Sequence, residues 1–139
     1  VAAIEWTDKL ALGVEQIDDT HREFVACVNA VADASDEAMA AALAALRAHT
    51  EAHFAQENRW MAETAFPPSH CHLTEHEGVL EVIREVQGYV AQGKTQVARV
   101  LARELASWFE GHAATMDAML AQWLRAQDYA FDAPAAAVG

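Results

Sequence analysis

Hydrophobic positions along the chain recur at threes and fours, the spacing that puts side chains on one face of an α-helix. Ile17, His21, Phe24, Val28 and Val31 form the first such stripe. It predicts a helix capped by Asp18 or Asp19 and running to Ala34, with acidic residues suiting the positive end of its dipole. Ser35, followed by Asp36 and Glu37, marks a second start, and the alanine-rich stretch behind it has high helix propensity. The inner stripe there is Leu43, Leu46, Thr50, His53, Glu57 and Trp60 or Met61. Pro67 and Pro68 stop that helix and Ser69 opens the next, whose stripe is His72, His76, Val79, Leu80, Ile83, Val86 and Val90, ending near Gly93. The fourth and longest stripe is Val97, Leu101, Leu105, Trp108, His112, Met116, Met119 and Trp123. Residues 1–16 hold Trp6 and Gly13 without sustained periodicity and are expected to form an ordered N-terminal arm. Beyond Gln127 the pattern dissolves, so residues 128–139 are expected to be a mobile C-terminal tail. No stretch reads as strand. Four amphipathic helices with short connections predict an all-α fold: an antiparallel up-down-up-down four-helix bundle with an N-terminal arm, one domain over residues 1–127.

Composition narrows the partners. The chain has 139 residues, the size of one domain, with 9 Lys and Arg against 21 Asp and Glu, a net charge of −12 and a pI near 4.8. So acidic a surface repels phosphate backbones and anionic lipid, which argues against nucleic acid and membrane surfaces as partners. The longest apolar run, Ala38 to Leu46, falls far short of the roughly 20 residues that span a bilayer. No basic segment followed by an apolar one opens the chain, so a cytoplasmic location is expected. Cys27 and Cys71 form no CxxC pair and read as reduced thiols. Cys71 adjoins His72, but helix neighbours point about 100° apart and do not readily share a site.

The histidines carry the chemistry. Every inner stripe holds at least one: His21, then His53, then His72 and His76, then His112. Two carboxylates accompany them, Glu57 four residues after His53 and Asp117 five after His112. Buried imidazoles and carboxylates are costly unless they pair or bind a metal, so seven of them crossing one core call for a cation. His53 with Glu57, and His72 with His76, stand one turn apart on one face. A five-residue step rotates about 140° in a regular helix, so His112 and Asp117 do not share a face there. Either Asp117 belongs to another network, or a single π-type turn brings it back; the second is the expectation, since such turns cluster at functional sites. Seven ligands exceed the four of a structural zinc. Five imidazoles and two bridging carboxylates suit two transition-metal ions of borderline hardness and, with a bridging solvent oxygen, leave one coordination position open for a small ligand.

The order His21, His53-xxx-Glu57, His72-xxx-His76, His112-xxxx-Asp117 resembles the hemerythrin family, specifically its bacterial domains. Ile4-Glu5-Trp6, Gly13-Val14-Glu15-Gln16-Ile17-Asp18, His53-Phe54 with Met61 and Phe66-Pro67, and Trp108 before His112 extend the likeness over residues 4–125. The resemblance implies a non-haem centre of two Fe ions with a bridging oxo or hydroxo group, binding O2 reversibly. By motif position, His72, His76 and His112 would hold the six-coordinate iron, and His21 and His53 the second, whose open position takes O2 or a small anion such as azide. Glu57 and Asp117 would bridge, and no residue is catalytic. The implied role is oxygen carrier, store or sensing module; the alternatives are a di-iron oxidase or peroxide-handling enzyme, or iron sensing or storage. The chain departs from the family at Thr20 (often Gln), Leu120 (often Tyr) and Phe109 (commonly Leu). Phe109, Trp108 and Trp6 are candidates for the wall of the O2 pocket. His49 and His70 read as ordinary helix and loop residues, and the fourth-helix methionines as core filling.

Overall fold

The computed structural model describes residues 2–131. Four rods run through it: α1 (Glu15–Asp33), α2 (Met39–Glu63), α3 (Ser69–Ala91) and a fourth made of three joined pieces. In that last rod α4 (Thr95–His112) passes through a π-helical segment (Ala113–Asp117) into α5 (Ala118–Ala126). α2 packs against α1 and α3, and the fourth rod closes the ring against the same two, giving the expected four-helix bundle. Among the described residues no helix is long and apolar enough to cross a membrane.

The helices begin elsewhere than the polar residues suggested. α1 starts at Glu15 with Val14 as its N-cap, so the arm ends before residue 16. Asp18 lies inside the helix, buried, and accepts hydrogen bonds from the backbone N–H of Leu12 (2.7 Å) and Gly13 (3.2 Å). It ties the arm to α1 rather than capping the helix. Gly13 supplies the positive φ, 79°, that this turn requires, and Arg125 donates to the Leu12 carbonyl at 2.6 Å. Further up, the Asn29 amide pairs with both backbone groups of Ile4. Ser35 heads a turn, its hydroxyl oxygen accepting the Ala38 N–H at 3.2 Å, and α2 follows only at Met39.

Three helix ends share one device, a left-handed residue with paired six-to-one and five-to-two backbone bonds. After α3 that residue is Gly93 (φ 85°), with Lys94 N–H bonded to Tyr89 and Gly93 N–H to Val90. After α2 it is Ala65 (φ 53°), with Phe66 N–H bonded to Met61, so the helix has ended before Pro67 arrives. After α5 it is Asp128 (φ 50°), which turns the chain back. The tail expected over 128–139 therefore starts with residues that pack: Tyr129 and Phe131 set ring centroids 6.4 Å and 5.1 Å from Trp60. Residues 132–139 lie outside the described residues.

The apolar interior falls into two clusters. The larger holds Phe24, Val28, Leu43, Leu46, Ile83, Leu101 and Leu105; the smaller holds Ile17, Trp60, Met61, Phe66, Leu120 and Leu124. All four rods contribute to each, with α3 represented in the smaller by Leu73. Between the two lies a polar layer.

Candidate metal centre

That layer consists of His21, His53, Glu57, His72, His76, His112 and Asp117, all buried. α1 supplies the first, α2 the next pair, α3 the next, and the fourth rod the last two. The π segment runs from Ala113 to Asp117, directly between His112 and Asp117, and turns both inward as the five-residue spacing requires. Inside it the Thr115 hydroxyl donates to the Gly111 carbonyl at 2.7 Å. The extra residue also rotates everything downstream. Met119 is 52% exposed and Leu120 fully buried, so the stripe continued through Met116, Met119 and Trp123 is corrected to Asp117, Leu120, Ala121 and Leu124. Met119 fills no core space.

The seven side chains meet in two groups. Donor atoms of Glu57, His72, His76, His112 and Asp117 lie within 4.8 Å of one another, and so do those of His21, His53 and Glu57. The carboxylate oxygens divide between the groups. Glu57 Oε1 faces His72 Nε2 (3.3 Å) and His76 Nε2 (3.2 Å), while its Oε2 faces His53 Nε2 (2.8 Å) and His21 Nε2 (3.6 Å). Asp117 Oδ1 faces His72 Nε2 (3.0 Å) and His112 Nε2 (3.1 Å), while its Oδ2 faces His21 Nε2 (3.1 Å). Glu57 thus offers one oxygen to the three-histidine set and the other to both histidines of the second set, while Asp117 reaches the second set through His21 alone.

These contacts lack hydrogen-bond alignment, His53 to Glu57 excepted. The Nε2 atoms of His21, His72, His76 and His112, with Glu57 Oε1 and both Asp117 oxygens, are buried without a hydrogen-bond partner. An unsatisfied buried polar group costs about 1–3 kcal/mol, so this concentration makes sense only if something else satisfies the atoms. Two donors at right angles around an ion, with bonds of about 2.1 Å, stand about 3 Å apart, which matches the separations here. The residues fit a pair of metal ions bridged by both carboxylates.

Electrostatics agree with that fit. Burial works against charged imidazoles at His21 and His72, yet Asp117 and Glu57 outweigh it and hold both near a pKa of about 9. Burial raises Glu57 and Asp117 in turn, but the surrounding histidines win and keep both carboxyls below their ordinary range. In the metal-free chain protons carry the positive charge that cations carry in a loaded one.

Aromatic rings close the site. Phe54 stacks on His76 with centroids 3.9 Å apart and planes 5° off parallel, and Trp108 stacks on His112 at 4.4 Å. Phe109 meets His21 edge-on at 4.9 Å, with Phe24 behind it at 5.1 Å from Phe109 and 6.2 Å from His53. Of the three candidate pocket residues, Phe109 therefore faces the two-histidine set and Trp108 the three-histidine set. Trp6 lies in the arm under the Arg22 guanidinium, 4.8 Å from its ring centroid. Sequence reasoning placed Phe24 on the inner stripe without a part in the site, and missed Asn58 and Glu75. Asn58 Oδ1 accepts from His76 Nδ1 at 2.8 Å, and Glu75 Oε1 accepts from His112 Nδ1 at 2.9 Å and from Trp108 Nε1 at 2.8 Å. His49 sits outside the two groups, half-buried, donating to the Thr20 carbonyl at 3.2 Å; His70 is exposed.

Comparison with known proteins gives the same picture. Residues 12–124 match the Hemerythrin HHE cation binding domain family. A bacteriohemerythrin of Ralstonia nicotianae is 46% identical over 121 residues, covering 87% of this chain and 88% of that one. A bacteriohemerythrin of Pseudomonas aeruginosa is 28% identical over 122 residues, covering 85% and 79%. The crystal structure of a hemerythrin variant superposes with a TM-score of 0.82 over 89% of this chain and 98% of that one, at 22% identity, a likeness of fold. The chain belongs to the hemerythrin HHE cation binding domain family.

Proposed function

We propose that the chain binds O2 reversibly at a di-iron centre, as an oxygen carrier or store or as an oxygen-sensing module. The observation that carries this reading is the division of the Glu57 and Asp117 oxygens between a three-histidine and a two-histidine set. His72, His76 and His112 would hold one iron with one oxygen of each carboxylate, and His21 and His53 the other with the second oxygens. Iron held there would supply the electrons for reversible O2 binding. The protein's own contribution is unequal on the two sides. The two-histidine side offers one donor fewer, so room for O2, or for a small anion such as azide, lies there. Phe109 and Phe24 wall that side with apolar surface and keep bulk water from it. The histidine-rich donor set lacks the Glu-x-x-His pairs of the oxygen-activating carboxylate bundles, which favours binding over oxidation. We also propose a cytoplasmic location, which suits the two unpaired thiols, and no nucleic-acid partner, in line with the net charge of −12.

The test is to load the protein with iron, reduce it anaerobically, admit air and record visible absorption together with bound iron. Two irons per chain and a charge-transfer band that disappears on removing O2 support the reading. Steady O2 consumption with added reductant and no lasting band would replace it with an oxidase.

A further inference from the structure

The outer nitrogens of the five histidines are not treated alike. Nδ1 of His21, His53 and His72 is buried without a hydrogen-bond partner. His76 has the neutral Asn58 amide. His112 has a carboxylate, Glu75, reaching across from α3. A carboxylate only accepts here, so His112 Nδ1 carries a proton, which leaves Nε2, 3.1 Å from Asp117, as the nitrogen available to a metal. The same Glu75 oxygen accepts the Trp108 indole N–H at 2.8 Å, and the Trp108 ring lies on the His112 ring, 24° from parallel. The Glu75 side chain is 35% exposed, so water competes for this carboxylate. Two donors converging on one oxygen hold it inward against that competition.

We propose that Glu75 is a positioning residue of the metal centre. Through His112 it fixes the tautomer and ring orientation that aim Nε2 at the metal, and its charge strengthens that nitrogen as a donor. Outer partners of this kind typically change metal affinity 10–100-fold. The proposal rests on the reading that His112 is a metal ligand. It adds that the three-histidine side owes its grip to a residue on the bundle surface.

The test uses the whole chain, stripped of metal and titrated anaerobically with Co(II) against a competing chelator. The variants are Glu75→Gln, Glu75→Ala and, as a control for loss of one acidic charge from α3, the exposed Glu77→Gln. Urea unfolding of each metal-free variant reports folding separately. Glu75→Gln is expected to weaken the tighter Co(II) site about 10-fold or more, and Glu75→Ala further, with metal-free stability little changed and Glu77→Gln like the parent. The paramagnetically shifted N–H proton of one cobalt-bound histidine should move in Glu75→Gln and exchange with water faster in Glu75→Ala. A structural tie between α3 and α4 would move neither resonance. Parental affinity and an unmoved N–H signal in both Glu75 variants would overturn the proposal. A parallel His112→Ala separates the two readings. If it loses Co(II) while the Glu75 variants do not, only the positioning role falls; if it binds like the parent, ligation by His112 falls with it.

Discussion

Phe109 sets its ring edge-on to His21, and its side chain is almost completely buried. Replacing it with Leu leaves all seven nitrogen and oxygen donors in place while removing aromatic surface from the wall of the two-histidine side. Phe109→Leu is expected to keep two irons per chain, to autoxidise faster as water gains access, and to cost about 1 kcal/mol of stability. Iron analysis, decay of the oxygenated spectrum and urea unfolding check the three parts; unchanged decay would remove Phe109 from the ligand wall. At this scale the sequence was legible wherever a polar residue interrupted an apolar stripe, because burial makes such an interruption expensive. The seven donors stood out for that reason. Glu75 did not, being one of 21 acidic residues and adjoining a histidine with which it shares no helix face. Its role depends on what α4 brings opposite it. Asp18 misled in the opposite direction: its chemistry suits a cap, but the chain before it turns back, and it binds Leu12 and Gly13 instead.

Among the elements, the fourth rod is the one whose period changes midway. The five-residue step from His112 to Asp117 pointed to a π turn, and the structure has one at Ala113–Asp117. The consequence for the residues beyond it was less visible, since Met116, Met119 and Trp123 still continue the spacing of threes and fours. Mutation distinguishes the two registers. Leu120→Ala is expected to cost about 2–5 kcal/mol and Met119→Ala no more than about 0.5 kcal/mol, measured by urea denaturation; an unbroken helix would reverse the order. The helix ends offer a second case. Ala65 adopts a left-handed conformation that glycine takes without its steric cost, so Ala65→Gly is expected to stabilise the chain by about 1 kcal/mol, read as a rise in melting temperature. Pro67 and Pro68 signal a helix stop, but the turn that performs it lies at Ala65, which carries no such signal.

For the molecule as a whole, the proposed metal centre would set metal and proton in competition for the same atoms. In the metal-free chain His21 and His72 are raised from 6.5 to about 9, so the folded state binds these protons more tightly than the unfolded one. Their contribution to stability is complete below about pH 6.5 and is lost as pH rises through about 9. Glu57 and Asp117 act oppositely: their depressed values contribute above the ordinary carboxylate range, and that contribution is lost on acidification. Metal ligation requires neutral imidazoles, so affinity rises over the interval in which the metal-free form weakens. The melting-temperature gap between loaded and metal-free protein is therefore expected to widen from pH 6.5 to 9. With free metal a thousandfold above its dissociation constant, loading adds about 4 kcal/mol. A gap that stays constant across that range would contradict the proton competition.

The hydrophilic belt at mid-height, bounded above and below by apolar clusters drawn from every rod, implies a particular way of breathing. Once stripped of its ions the belt is expected to loosen before the apolar clusters on either side of it. Ions are then expected to enter or leave through a local loosening near the waist, without dismantling either end. Amide exchange in the stripped chain would display this as early labelling around residues 53–57 and 112–117, ahead of the helix segments that carry Leu46 and Ile83.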